Sequence, residues 1–212
     1  MLHRILGDRS AVSVIEFALG LPPLLGFALS GLEMANYILA NNTTQRMATM
    51  VADLIAQSGV GDIATTEAQI YDMFYAIDVA AKPLSLRKNG RIVFSVIKGV
   101  TQGDGTVRNE YADTVYSQQF DGDYVAAAPL LGCQTTTPLP NFSRTLPANE
   151  LMVHAQVTYV YEPLFGQSVF DYFRVPTVLT RTATFRMRKN RFNISNDNSH
   201  PSKTKCASKT GL

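Results

Sequence analysis

Few side chains in this 212-residue sequence have the type and spacing that catalysis needs. The three histidines, His3, His154 and His200, are scattered. His154 falls in an alternating apolar stretch and reads as a packed or surface residue rather than a base. Asp121 and Asp123 would be a carboxylate pair, but "DGD" reads as a solvated turn. Asp53 reads as a polar position on an amphipathic helix, packed against the domain or touching a neighbouring subunit. Arg181, Arg186, Arg188, Lys189 and Arg191 resemble a phosphate-binding stripe at first sight. Their alternation fits the solvated face of an edge strand better, where charge discourages aggregation. No glycine-rich phosphate loop and no nucleophile motif occurs. The two cysteines, Cys133 and Cys206, lack the spacing of a zinc or redox site. The reading is therefore of no catalytic, cofactor or metal site. A net charge of +2 makes no case for nucleic acid.

The one residue whose placement demands a reason is Glu16. It stands near the start of "SAVSVIEFALGLPPLLGFALSGLEMANYILA", residues 10–40. A charged carboxylate at a bilayer centre costs ~2.5–3.5 kcal/mol on insertion scales. Near the boundary it costs less, but it still needs water or a cation. Two readings stand: an interfacial glutamate facing headgroups, or one that pairs with a positive charge on a neighbouring helix. A freshly cut N-terminal amine would supply such a charge.

The element that must position Glu16 is a long helix. Residues 17–32 carry no formal charge, and residues 11–15 extend the run towards the ~20 residues a bilayer core needs. His3, Arg4 and Arg9 precede it against Asp8, and Arg46 is the first basic residue after it. That asymmetry predicts the N-terminus inside and the rest outside. Beyond the apolar run, Met34, Ile38, Met47, Val51, Leu54 and Ile55 keep helical spacing, and Gly59 suits a C-cap. The pattern predicts one helix from about residue 12 to 57, lipid-facing first and amphipathic later, kinked or loosened at Pro22 and Pro23. The rival is a cleaved secretory signal, cut within "FALSG" at residues 27–31.

Beyond the helix the pattern is that of a small outer domain. "ATTEAQIYDMFYAIDVAAKPL" predicts a second helix ended by Pro83. "GRIVFSVIKGV" predicts a largely buried strand, and "GDGT" a turn. A second strand is expected around residues 114–120. Residues 129–150 read as a long loop, "LMVHAQVTYVYEPL" as the clearest strand and "PTVLTRTATFRMRK" as the last. Helix first and antiparallel strands packed on it make an α+β fold. Residues 193–212 read as a polar, disordered tail. In an oxidising compartment Cys133 and Cys206 can bond, tying tail to loop; two free thiols are the alternative.

"SAVSVIEFALGLPPLL" resembles the N-terminal motif of the TadE-like family, minor pseudopilins of tight-adherence (Flp-type) pilus systems. In that family a small residue, four more residues, Glu-Phe and an apolar run follow a short basic leader. Here these are Ala11, Val12 to Ile15, Glu16 and Phe17. "MVADLIAQSG", "VTYVYEPLFGQ" and "LTRTATFRMRKN" resemble later motifs of the family, in order. The resemblance implies a pseudopilin-like layout: leader 1–11, transmembrane segment 12–40, periplasmic domain 41–192 and tail 193–212. It implies cleavage by a prepilin peptidase between Ala11 and Val12, with Ala11 where the family usually has Gly. The Val12 amine would then pair with Glu16 of an adjacent subunit. It further implies a single-pass protein of the bacterial inner membrane, N-terminus cytoplasmic. Its partners would be the lipid bilayer, pilus subunits and assembly-platform membrane proteins. A secreted periplasmic binding protein that has lost its first segment is the alternative from another class. A membrane-fixed enzyme is a third, for which the sequence offers no site.

Overall fold

The computed structural model describes residues 9–58, 64–134, 139, 142, 144–189, 191–195 and 198–212. His3 and Arg4 of the expected leader, and Gly59 at the expected cap, lie outside the described residues. Helix α1 (Arg9–Gln57) runs unbroken through Pro22 and Pro23. Each proline removes one backbone donor, and the Leu and Ala residues around them favour the helix.

The two halves of α1 differ in what covers them. Before Glu33, every side chain described on the helix is exposed. From Ala40 onward, Ala40, Met47, Ala48, Val51, Ala52 and Ile55 form a buried stripe at three- and four-residue spacing. The alanines let the helix approach the sheet closely, while Met47, Val51 and Ile55 each contribute about 1.5–3 kcal/mol of apolar burial. Thr44 is buried in the same stripe, and its hydroxyl donates to Ala40 O at 2.8 Å.

A two-residue strand β1 (Thr65–Thr66) leads into helix α2 (Glu67–Ala80). The start of α2 is a reciprocal cap: Thr66 Oγ1 accepts from Gln69 N, and Gln69 Oε1 accepts from Thr66 N. Ile70, Phe74 and Ile77 point into the core beside α1. After a four-residue helix α3 (Leu86–Asn89) comes the central strand β2 (Gly90–Thr101). Strand β5 (Leu151–Val160) pairs antiparallel along β2, and β6 (Val178–Arg186) pairs antiparallel with β5 as the sheet edge. At the other edge, β3 (Val107–Tyr111) and β4 (Gln118–Asp121) share β2, at residues 97–101 and 92–95. The class is α+β, with helices on one face of an antiparallel sheet.

One strand was expected around residues 114–120, and two are present. Asp113 separates them: its Oδ1 accepts from Val115 N at 2.8 Å and Tyr116 N at 2.9 Å, which folds the chain off the sheet and back. A helix that the sequence did not suggest, α4 (Gln167–Tyr172), lies in the β5–β6 connection.

The tail also departs from expectation. Rather than lying disordered, residues 198–212 fold back along β4 at the sheet edge and against α2. Lys203 is buried, and its ammonium pairs with buried Asp121 and lies over the rings of Tyr71 and Phe74. Phe120 N donates to Lys203 O at 2.9 Å, and Tyr71 Oη to Pro201 O at 2.7 Å. Strand β7 (Ile194–Ser195) pairs parallel with β1, and a 3₁₀ turn (Lys209–Gly211) ends the chain. Asp121 is thus no solvated turn residue, since Arg87 also reaches its Oδ2 at 3.4 Å. The polar composition hid this packing because its anchors are single residues whose partners lie far away in sequence.

Candidate membrane and subunit interface

The residues singled out in the sequence divide into a bare group and a packed group. Ala11, Val12, Glu16 and Phe17 all lie on the first turns of α1. Val12 is 45% and Phe17 68% exposed, and Glu16 is exposed too. Among the described residues none forms a hydrogen bond or ion pair with Glu16. The stretch is the one helix among the described residues that is long and apolar enough to cross a membrane. A surface of this size, uncovered by the described residues, needs lipid or another protein around it.

A second acid on the same helix meets the opposite fate. Glu33 is 7% exposed. Its Oε1 accepts from Tyr161 Oη at 2.6 Å and its Oε2 from Leu164 N at 3.0 Å. Burial, then the hydrogen bond and charge of Glu33, push the Tyr161 hydroxyl above its ordinary pKa of 10.0. Around this pair stands a ring cluster. Tyr37 meets Tyr161 edge-on at 5.3 Å, and Phe170 of α4 lies 5.8 Å from both. Tyr37 Oη donates to Pro176 O at 2.9 Å. The domain therefore begins to grip α1 at Glu33, inside the 12–40 segment assigned to the membrane. Sequence reading passed over Glu33. The available signal was an acid 17 residues after Glu16, closing a charge-free run.

The remaining residues have structural surroundings. Cys133 and Cys206 are joined by a disulfide with Cα atoms 5.9 Å apart, which fixes the tail to the loop. Buried Arg91 donates to Val125 O at 2.9 Å and to Cys206 O at 2.5 Å, with its guanidinium 4.8 Å from the Phe120 ring. Burial draws its pKa below the ordinary value. Asp53 accepts from Gln57 Nε2 at 2.6 Å, a helix-surface pair. His154 contacts Thr184 Oγ1 at 3.3 Å, and burial lowers its pKa from 6.5. His200 stacks edge-on with Tyr71 at 5.3 Å. Of the basic stripe, Arg186 pairs with Glu150 at 2.8 Å and Arg181 donates to Thr180 O. No three His, Cys, Asp or Glu side chains are placed to hold a metal ion among the described residues.

What this geometry defines, among the described residues, is one bare apolar helical segment that could cross a membrane, gripped from Glu33 onward by an α+β domain. Residues 11–53 match the model of the family described as TadE-like protein. The match runs from the start of the bare segment through most of the buried stripe, and so contains both Glu16 and Glu33. It points to a protein associated with the tight-adherence pilus. Comparison with curated proteins and with solved structures gave no match. The resemblances in "VTYVYEPLFGQ" and "LTRTATFRMRKN" lie beyond the matched residues.

Proposed function

We propose that this chain is a membrane-anchored, pseudopilin-like structural subunit required for assembly of a tight-adherence pilus, with no catalytic role. Helix α1 stays on the mature protein and crosses the bacterial inner membrane once. Its N-terminus faces the cytoplasm and its domain the periplasm, the orientation favoured by His3, Arg4 and Arg9 ahead of the span. A prepilin peptidase cuts between Ala11 and Val12. The new amine on Val12 then pairs with Glu16 of a neighbouring pilus subunit, beside Phe17. Assembly-platform membrane proteins receive the trimmed subunit.

The observation that carries this reading is the bare segment with an acid at its mouth, coinciding with the family match. A carboxylate in apolar surroundings is expensive alone and far less so when paired. The arrangement therefore favours one register between neighbouring helices, and an uncut subunit lacks the partner charge. N-terminal sequencing of the protein purified from membranes is the test. A mature start at Val12 is expected. A start near Gly31 would mean that the segment is discarded, and a secreted binding protein would replace the reading.

A further inference from the structure

The β5–β6 connection, residues 161–177, carries large apolar side chains that its own fold leaves uncovered. Leu164 is 59%, Tyr172 81% and Phe173 68% exposed. Clustered side chains of this kind on a free surface mark a contact site. Their position says with what. Phe165 and Phe173 line an open groove of about 600 Å³ whose other wall is Gly26, Leu29 and Ser30 of α1. Those three residues belong to the charge-free run and precede Glu33. With a rise of ~1.5 Å per residue, Gly26 lies ~10 Å further along the bare segment than Glu33. Apolar faces of interfacial helices sit ~5–10 Å into the boundary between headgroups and acyl chains. The connection thus runs beside the last two turns of the bare segment before Glu33.

We propose that the β5–β6 connection is a second membrane-seating element. Leu164, Phe165, Tyr172 and Phe173 enter the leaflet nearer the domain, and acyl chains fill the groove against Gly26, Leu29 and Ser30. The proposal rests on reading α1 as membrane-spanning. Lipid is the occupant because the groove, lined mainly by apolar side chains with Ser30 and the internally bonded Glu33 among them, opens onto the bare surface of α1, and that surface is the part the bilayer must cover. Tyr172 brings a hydroxyl to headgroup level, as interfacial tyrosines do. Exposed Arg174 has a stem long enough to lie along the acyl boundary with its guanidinium at the phosphates. Asp171, the exposed acid beside them, accepts from Gln167 Nε2 at 3.1 Å, so its charge is turned back onto the connection. A helix alone leaves the domain free to swivel. A second contact on one side sets its tilt and rotation, and so the direction in which the sheet faces neighbouring subunits.

The chain contains no tryptophan, so a single introduced one reports cleanly. Full-length Phe173→Trp, Leu24→Trp and Tyr75→Trp variants would each be placed in phosphatidylethanolamine–phosphatidylglycerol vesicles. The acyl chains would carry bromine either near the headgroup or near the methyl end. Tyr172→Trp serves as the second reporter should Phe173→Trp fold poorly. The expected result is that shallow bromine quenches Phe173→Trp several-fold more than Tyr75→Trp, while deep bromine quenches Leu24→Trp. If Leu24→Trp is quenched and neither connection reporter is, the seating proposal is overturned and the spanning helix stands. Blue-shifted but unquenched emission from the connection would overturn it in favour of a second copy or sister subunit. If Leu24→Trp itself escapes quenching, the spanning reading fails first and the seating proposal with it.

Discussion

Glu16 and Glu33 are the same side chain on the same helix, 17 residues or ~26 Å apart. That separation is close to the ~30 Å of a bilayer's hydrocarbon core. At Glu33 the protein supplies everything the carboxylate needs: a tyrosine hydroxyl, a backbone N–H and a wall of rings. At Glu16 it supplies nothing from the described residues. The difference teaches how to separate a structural acid from an assembly acid. Glu33 holds the domain to its helix and is satisfied within one chain. Glu16 finds no partner among the described residues, and in the proposed function a neighbouring subunit supplies one.

The comparison can be broken at its stronger end first. Glu33→Ala leaves the buried Tyr161 Oη without its acceptor, which costs about 1–3 kcal/mol, and also removes the acceptor of Leu164 N. Denaturant unfolding of the detergent-solubilised chain should show that loss, with the Glu16→Ala domain within about 0.5 kcal/mol of the parent. Equal effects at the two sites would erase the distinction. Tyr161→Phe removes one donor and should cost about 1 kcal/mol. It should also change the alkaline limb. The folded-state pKa of Tyr161 is raised above 10.0, so the folded chain holds a proton that the unfolded chain has released. Stability from this source is full below pH 10 and is lost as pH rises towards the folded pKa. The Phe variant should show a shallower alkaline decline, with the remainder coming from Tyr71, Tyr111 and Tyr159, whose hydroxyls burial also raises.

Smaller effects sharpen the picture away from the membrane. Thr66→Ala opens the cap of α2 and should cost about 1 kcal/mol without touching either carboxylate. His154 has the smallest expected effect. Burial lowers its pKa below 6.5, so the unfolded chain takes up a proton first as pH falls. Its neutral-form stability is complete above pH 6.5 and declines below it, and His154→Gln should flatten that acid limb.

What was legible in the sequence was whatever repeats locally. The 3.6-residue period of α1 and α2 and the two-residue period of β2 and β5 are written into neighbouring residues. So was the membrane-length run that ends in Glu33. What escaped is long-range or short. The Glu33–Tyr161 bond joins positions 128 residues apart, and the Asp121–Lys203 pair positions 82 apart. No periodicity encodes either. Helix α4 has only six residues, too few to show a helical face. The break between β3 and β4 depends on one side chain, Asp113, whose turn looks like any polar stretch. Glu16 could be read because its setting is local and wrong for a charge; Glu33 was missed because its justification is distant.

The central claim is that Glu16 is completed by a cation from another subunit while Glu33 is completed at home. Pilus output from cells carrying Glu16→Ala, measured beside the amount of the protein in the membrane fraction, tests it most directly. The account predicts parental levels of membrane-bound protein and a severe loss of pili. Normal piliation with the carboxylate gone would contradict it.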